Sequence, residues 1–312
     1  MSKIPIRRGI NFGDTLEAPY EGAWGGHIIK DEYFKLIKDA GFDHVRIPIK
    51  WSVYTQKEYP YSIEKRIFDR VDHLIEEGFK NSLYIVINIH HYDEIMEEPL
   101  REKDRFLAIW RQISEHYKDY PDQLYFELLN EPTYNLNSDL WNQFLKEAVE
   151  VIRKTNPERK IIIGPDNWNN LYNLPKLEIP ENDKNIIVTF HYYNPFPFTH
   201  QGAGWVKVNL PVGVKWLGTE EEKKDVEREL DMTVDWAKEH GDIPLYMGEF
   251  GAYSKADMES RVRWTDFVAR SAEKRGIAWA YWEFYSGFGV FDSEKNEWRK
   301  PLLKALIPET KI

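Results

Sequence analysis

Eight short runs rich in β-branched residues recur along the chain, each separated from the next by a longer stretch with amphipathic, helix-like spacing. They lie at Arg8–Phe12, His44–Pro48, Leu83–Ile89, Leu124–Leu129, Lys160–Gly164, Ile186–Phe190, Pro244–Met247 and Ile277–Trp282. Strands alternating with helical segments are the pattern of repeated βα units and a parallel sheet. The helical segments end where residue chemistry ends helices: Asp31–Asp39 before Gly41, Ser62–Glu77 before Gly78, and Ser138–Lys154 before Pro157. Eight units within 312 residues match the size of a closed (β/α)8 barrel, about 250 residues plus insertions. No Gly-x-Gly-x-x-Gly opens any of the helices, which argues against a nucleotide-binding open sheet. The expectation is an α/β fold, a single (β/α)8 TIM-barrel domain over residues 1–312. Its one long aperiodic segment, about 191–218, carries Pro, Gly and aromatic residues and reads as a loop serving a site.

Composition removes several classes of function. A formal charge of −10 repels a phosphate backbone, and no basic stripe offsets it, so nucleic acid is not an expected partner. The longest apolar runs are too short to cross a bilayer. Without cysteine there are no disulfides, thiolate nucleophiles or Cys-ligated metals. The start of the chain carries no apolar secretory segment, which suits a cytoplasmic protein or a secreted one whose signal has been removed. A monomer is expected. High charge, few Gln and no Cys hint at heat stability. The 12 Trp, 18 Tyr and 16 Phe exceed what a core of this size calls for, so some can line a cleft and stack on flat ligands.

In such barrels the reactive groups stand at the C-terminal ends of the strands and in the loops that follow. Those positions hold Arg46 after the second run, His90 and His91 after the third, Asn130 and Glu131 after the fourth, His191 and Tyr193 after the sixth, Glu249 after the seventh and Trp282 at the end of the eighth. The fourth and seventh strands are nearly opposite across a small barrel mouth, so two carboxylates can face each other over a substrate. Glycoside hydrolysis needs that pair, one acid to protonate the leaving oxygen and one carboxylate to attack the anomeric carbon. A single Glu after a strand is more often a surface or ion-paired residue; the pair carries the argument.

With these motifs in view, the chain resembles glycoside hydrolase family 5. The matching segments are Gly9-Ile10-Asn11, Val45-Arg46-Ile47-Pro48, Ile89-His90-His91, Leu129-Asn130-Glu131-Pro132, His191-Tyr192-Tyr193, Gly248-Glu249-Phe250-Gly251 and Ala280-Tyr281-Trp282, in order and at βα spacing. The resemblance implies a retaining endo-β-1,4-glucanase acting on β-glucan polysaccharide or oligosaccharide, with Glu131 as acid/base and Glu249 as nucleophile. The alternatives are a β-mannanase or xyloglucanase on the same scaffold, or a non-catalytic carbohydrate-binding barrel. No cofactor is implied.

Residue chemistry supports the roles. Arg46 and Tyr193 would keep Glu249 ionised, and a negative Glu249 would raise the pKa of Glu131. Asn130 suits a donor to the sugar 2-hydroxyl, or a turn residue before Pro132. His90, His91 and His191 suit sugar-binding donors or a buried network. Adjacent strand residues point to opposite faces, and no His-x-His or His-Glu-x-x-His occurs, so no metal is expected. Trp282 would floor the cleavage position or belong to the barrel-top core. Asp14 and Glu17 in the first loop, Trp168, and Trp205 in the Gly-rich loop after the sixth strand complete the substrate-binding candidates.

Overall fold

The computed structural model describes residues 4–309. Eight parallel strands close into a barrel in chain order: β1 Arg8–Asn11, β2 His44–Ile47, β3 Tyr84–Asn88, β4 Leu124–Glu127, β5 Ile161–Ile163, β6 Ile186–Tyr192, β7 Leu245–Phe250 and β8 Ala278–Tyr281, with β8 paired back to β1. All eight fall on the runs read from the sequence. Two are longer at their C-terminal ends than expected: β6 continues through His191 and Tyr192, and β7 through Glu249. Both therefore carry functional candidates within the sheet, where the pairing register shifts between Phe190 and His191.

Alternate strand residues fill two distinct spaces. Val86, Tyr125, Ile162, Ile187, Tyr246, Ala278 and Ala280 pack inside the barrel together with Ile4 and Ile6 from before β1, while the opposite faces meet the surrounding helices in one continuous apolar layer. Helix Asp31–Ala40 stops at Gly41, whose φ of 108° lets its N–H reach the carbonyls of Ile37 and Lys38. Helix Ser138–Arg153 starts under the Asn137 side chain, which accepts from Leu140 N.

Gly78 differs from expectation. Helix Lys65–Lys80 runs straight through it, and a side chain there would drive into Ile85 of β3, whose Cδ1 stands 2.3 Å from an added Cβ. That glycine allows close helix–sheet contact and does not end the helix.

The 191–218 segment is only partly irregular. A short helix spans Phe196–Thr199, and buried Gln201 then ties the loop to itself: its amide donates to the carbonyls of Phe198 (3.0 Å) and Val214 (2.8 Å) and accepts from Gly213 N (2.8 Å). Trp216 is buried in the core, whereas Trp205 is 58% exposed. Among the described residues no helix is long and apolar enough to cross a membrane.

Candidate active site

Arg46 is the centre of the barrel mouth. On β2 it points inward with no exposed surface and donates to side chains from three other strands and the loop after β4. Nε and Nη2 hold Glu127 of β4 at 2.6 and 2.7 Å; Nη1 reaches Asn11 of β1 and Glu249 of β7, both at 2.8 Å; Nη2 also reaches Asn130 at 2.8 Å. A guanidinium fits this task because its donors form a rigid planar fork.

Glu249 accepts from Arg46 on one oxygen and from the Tyr193 hydroxyl, at 2.9 Å, on the other. Glu131 follows β4 with a left-handed backbone, φ 49°, a conformation that costs a residue with a side chain on the order of 1–3 kcal/mol and is retained where the surroundings over-determine it. Its Oε1 lies 2.7 Å from His191 Nδ1. Oxygens of Glu131 and Glu249 and a nitrogen of His191 all fall within 4.8 Å of one another. A small cation could bridge such donors, as it could Asp31, His73 and Glu77 on the outer helices, but Arg46 already supplies the positive charge at Glu249.

Burial pushes the Glu131 carboxyl up to about 7, against the pull of Arg46 and with help from Glu127. The rise expected of Glu131 is thus present, with burial as its largest cause; the repulsion between Glu131 and Glu249 is mutual and disfavours two charges at once. Burial raises Glu249 as well, opposed by His191, whose Nδ1 is 3.5 Å from its Oε2, by Arg46 and by the Tyr193 hydroxyl, and reinforced by Glu131. Glu249 has a cationic and a phenolic donor; Glu131 has only an imidazole, which burial keeps down at about 4 and hence neutral. The direct donors at Glu249 favour its charged form.

A cleft of about 530 Å³ opens over this pair, lined by Asp14, His90, His91, Asn130, Glu131, Tyr193, Trp205, Glu249 and Trp282 among the expected residues. His90 lies parallel to Trp282 with centroids 5.8 Å apart. His91 also faces the cleft: its φ of 47° breaks the strand alternation that would have turned it away, and the two imidazoles meet edge to face at 4.5 Å. Trp282 passes so close to Gly13 that an added Cβ would be 2.9 Å from its ring.

Two candidates sit elsewhere. Glu17 has no exposed surface; it accepts from the backbone N–H groups of Asp14 and Thr15 and so shapes the first loop from beneath. Trp168 lies outside the cleft lining, 46% exposed and edge-on to Tyr134 at 5.4 Å, on the rim beside Pro132.

The model of the cellulase family, glycosyl hydrolase family 5, matches residues 9–287. The chain belongs to this family. Endoglucanase H of Acetivibrio thermocellus is 39% identical over 93% of the chain, which spans 30% of that relative's length. Thermotoga maritima Cel5A, solved with cellobiose and with mannotriose, is 52% identical, with a TM-score of 0.95 over 97% of each chain in both structures. The site of this family 5 chain also contains residues that the sequence does not single out as candidates. Glu127 was signalled by a lone acid in the otherwise apolar Leu124–Leu129 run, and Asn11 stood in the Gly9-Ile10-Asn11 segment without a role assigned to it. Trp24, His200, Tyr253, Ser286, Gly287 and Phe288 complete the cleft wall from distant loops and carry no local signal.

Proposed function

We propose that the chain is a retaining endo-β-1,4-glucanase that works by double displacement, with Glu249 as nucleophile and Glu131 as acid/base. The observation that carries this is the approach of one oxygen of each carboxylate to within 4.8 Å of the other, in unequal surroundings. Retaining pairs stand about 5–5.5 Å apart and inverting pairs about 6.5–9.5 Å, the larger gap making room for a water. Glu249, held ionised by Arg46 and Tyr193, attacks the anomeric carbon while protonated Glu131 gives its proton to the leaving oxygen. Once Glu249 is esterified its charge is gone, and Glu131, now ionised, takes a proton from the incoming water.

Asn130 has its carbonyl oxygen fixed by Arg46, which leaves its NH2 as the donor for the sugar 2-hydroxyl. Trp282, backed by His90, floors the cleavage position, and exposed Trp24 and Trp205 offer stacking surfaces further along. β-Mannan is the second reading, supported by the mannotriose complex of Cel5A.

The test combines a reducing-sugar assay on β-glucan, lichenan, mannan and xylan with an aryl cellobioside whose leaving group needs no proton. Glu131→Ala should release a burst of phenol and then stall, while Glu249→Ala should be inactive throughout. Equal inactivity of both variants toward the aryl substrate would remove the division of roles, and a preference for xylan would remove the glucanase reading.

A further inference from the structure

Beneath the acid/base, the far nitrogen of His191 meets one residue that the reaction as described leaves out. Asn169 has no exposed surface and a left-handed backbone, φ 52°, and the parallel bridge between Asn170 and His191 holds its stretch of chain against β6. Its Nδ2 lies 3.3 Å from His191 Nε2. Its Oδ1 is buried and accepts from nothing, against Gly164, where an added Cβ would come within 2.7 Å of it. Asn169 thus makes one side-chain hydrogen bond, from its NH2 to the ring nitrogen, while its carbonyl oxygen faces Gly164.

We propose that Asn169 is a positioning residue: by donating to Nε2 it holds His191 as the Nδ1–H tautomer, so that Glu131 Oε1 always meets a donor and the proton Glu131 delivers is carried on Oε2. The inference rests on the assignment of Glu131 as acid/base.

One ring nitrogen that accepts forces the other to donate in a neutral imidazole. His191 Nδ1–H then serves both half-reactions. It donates to the carbonyl oxygen of the protonated acid, keeping the acidic proton off that oxygen, and it donates to the carboxylate when Glu131 acts as base. With the amide reversed, the proton would sit on Nε2 and the Nδ1 lone pair would face the Glu131 oxygen. That arrangement disfavours the carboxylate and draws the acid proton toward His191, away from the cleft. The charged and titratable groups around His191 and Glu131 are Arg46 on β2, Glu127 on β4, Glu249 on β7, His90 beyond β3 and Tyr193 beyond β6. Among the described residues the hydrogen bond at Nε2 comes from Asn169 alone.

The tautomer is read directly from long-range proton–nitrogen correlations of the wild-type protein labelled with 15N-histidine, His191 being assigned by its loss in His191→Ala. A pyrrole-type Nδ1 and a pyridine-type Nε2 are expected; the reverse pattern overturns the proposal. Asn169→Leu keeps the volume and removes the donor. Losing the donor to the carboxylate raises the pKa of Glu131, so the basic limb of kcat/KM should move up by about one pH unit. A folded Asn169→Leu whose basic limb stays in place or moves down overturns the proposal, because a packing role alone would alter the melting temperature and leave the limb where it was. The tautomer measurement does not depend on activity, and the aryl-cellobioside burst of Glu131→Ala decides the acid/base assignment separately.

Discussion

Glu127→Gln should make the enzyme less heat-stable and shift its working range toward acid. In the native site Glu127 takes two guanidinium donors of Arg46 at 2.6 and 2.7 Å, with side-chain exposures of 0% and 1% for the pair. The amide keeps an acceptor for one donor and sets its NH2 against the other. Removing one partner of a buried ion pair costs about 3–5 kcal/mol. Arg46 still has Glu249, Asn11 and Asn130, so the lower end, about 3 kcal/mol, applies. With an unfolding entropy of about 2.1 cal/mol/K per residue over 312 residues, that is a fall in Tm of about 5 °C. The kinetic effect has a definite sign. Glu127 contributes to the raised pKa of Glu131 and Arg46 opposes it, so removing the negative charge lowers that pKa from about 7. The acid is then lost at lower pH, and the basic limb of kcat/KM on an unactivated cello-oligosaccharide moves down by about half a unit to one unit. Differential scanning calorimetry and a pH series from 5 to 9 measure both. A Tm within about 1 °C of wild type, or a basic limb that stays put or rises, would refute the place given to Glu127.

Proton NMR of early products should show the β-anomer first, as net retention requires; immediate α-anomer would exclude Glu249 as nucleophile. Trp205→Ala should lower kcat/KM on polymer and long oligosaccharides while sparing an aryl disaccharide and Tm, since Trp205 is exposed and remote binding energy is used only when the substrate reaches it. Trp282→Ala should damage all substrates alike, and a uniform loss in Trp205→Ala with a falling Tm would mark Trp205 as a packing residue. Burial raises Glu17 and Glu283 to about 8 in the folded protein. A carboxyl raised in this way stabilises fully below its unfolded pKa of about 4.3 and loses that contribution as pH rises through about 8, so Tm should decline between pH 5 and 8. Calorimetry across that window checks it, and a Tm that climbs would show that burial does not dominate these two groups.

The barrel was legible because alternating βα periodicity is a local property, and the positions of Arg46 within β2 and of Asn130 and Glu131 after β4 follow from it. Glu249 was legible as half of a pair even though β7 runs past it. The register irregularity that carries β7 to Phe250 depends on neighbouring strands, which no single segment encodes. Gly78 misled because glycine serves equally to end a helix and to admit a close neighbour, and only the position of Ile85 tells which. Glu17 misled for a similar reason: an acid in a turn looks the same whether it faces a cleft or binds the backbone beneath. The part that burial plays in raising Glu131 lay out of reach because burial is a property of the closed barrel. His200, Tyr253 and Phe288 meet only when loops far apart in the chain converge.

The Gln201 clasp separates two kinds of change. Residues 202–212 leave and re-enter the structure at points held by the same side chain, with Trp205 between them. Loop closure costs only about 0.6 kcal/mol for each doubling of length. Insertions or deletions in that span would therefore be absorbed without moving β6 or the two glutamates. The reach of the cleft along a polysaccharide can drift under selection while the bond-breaking chemistry is inherited unchanged.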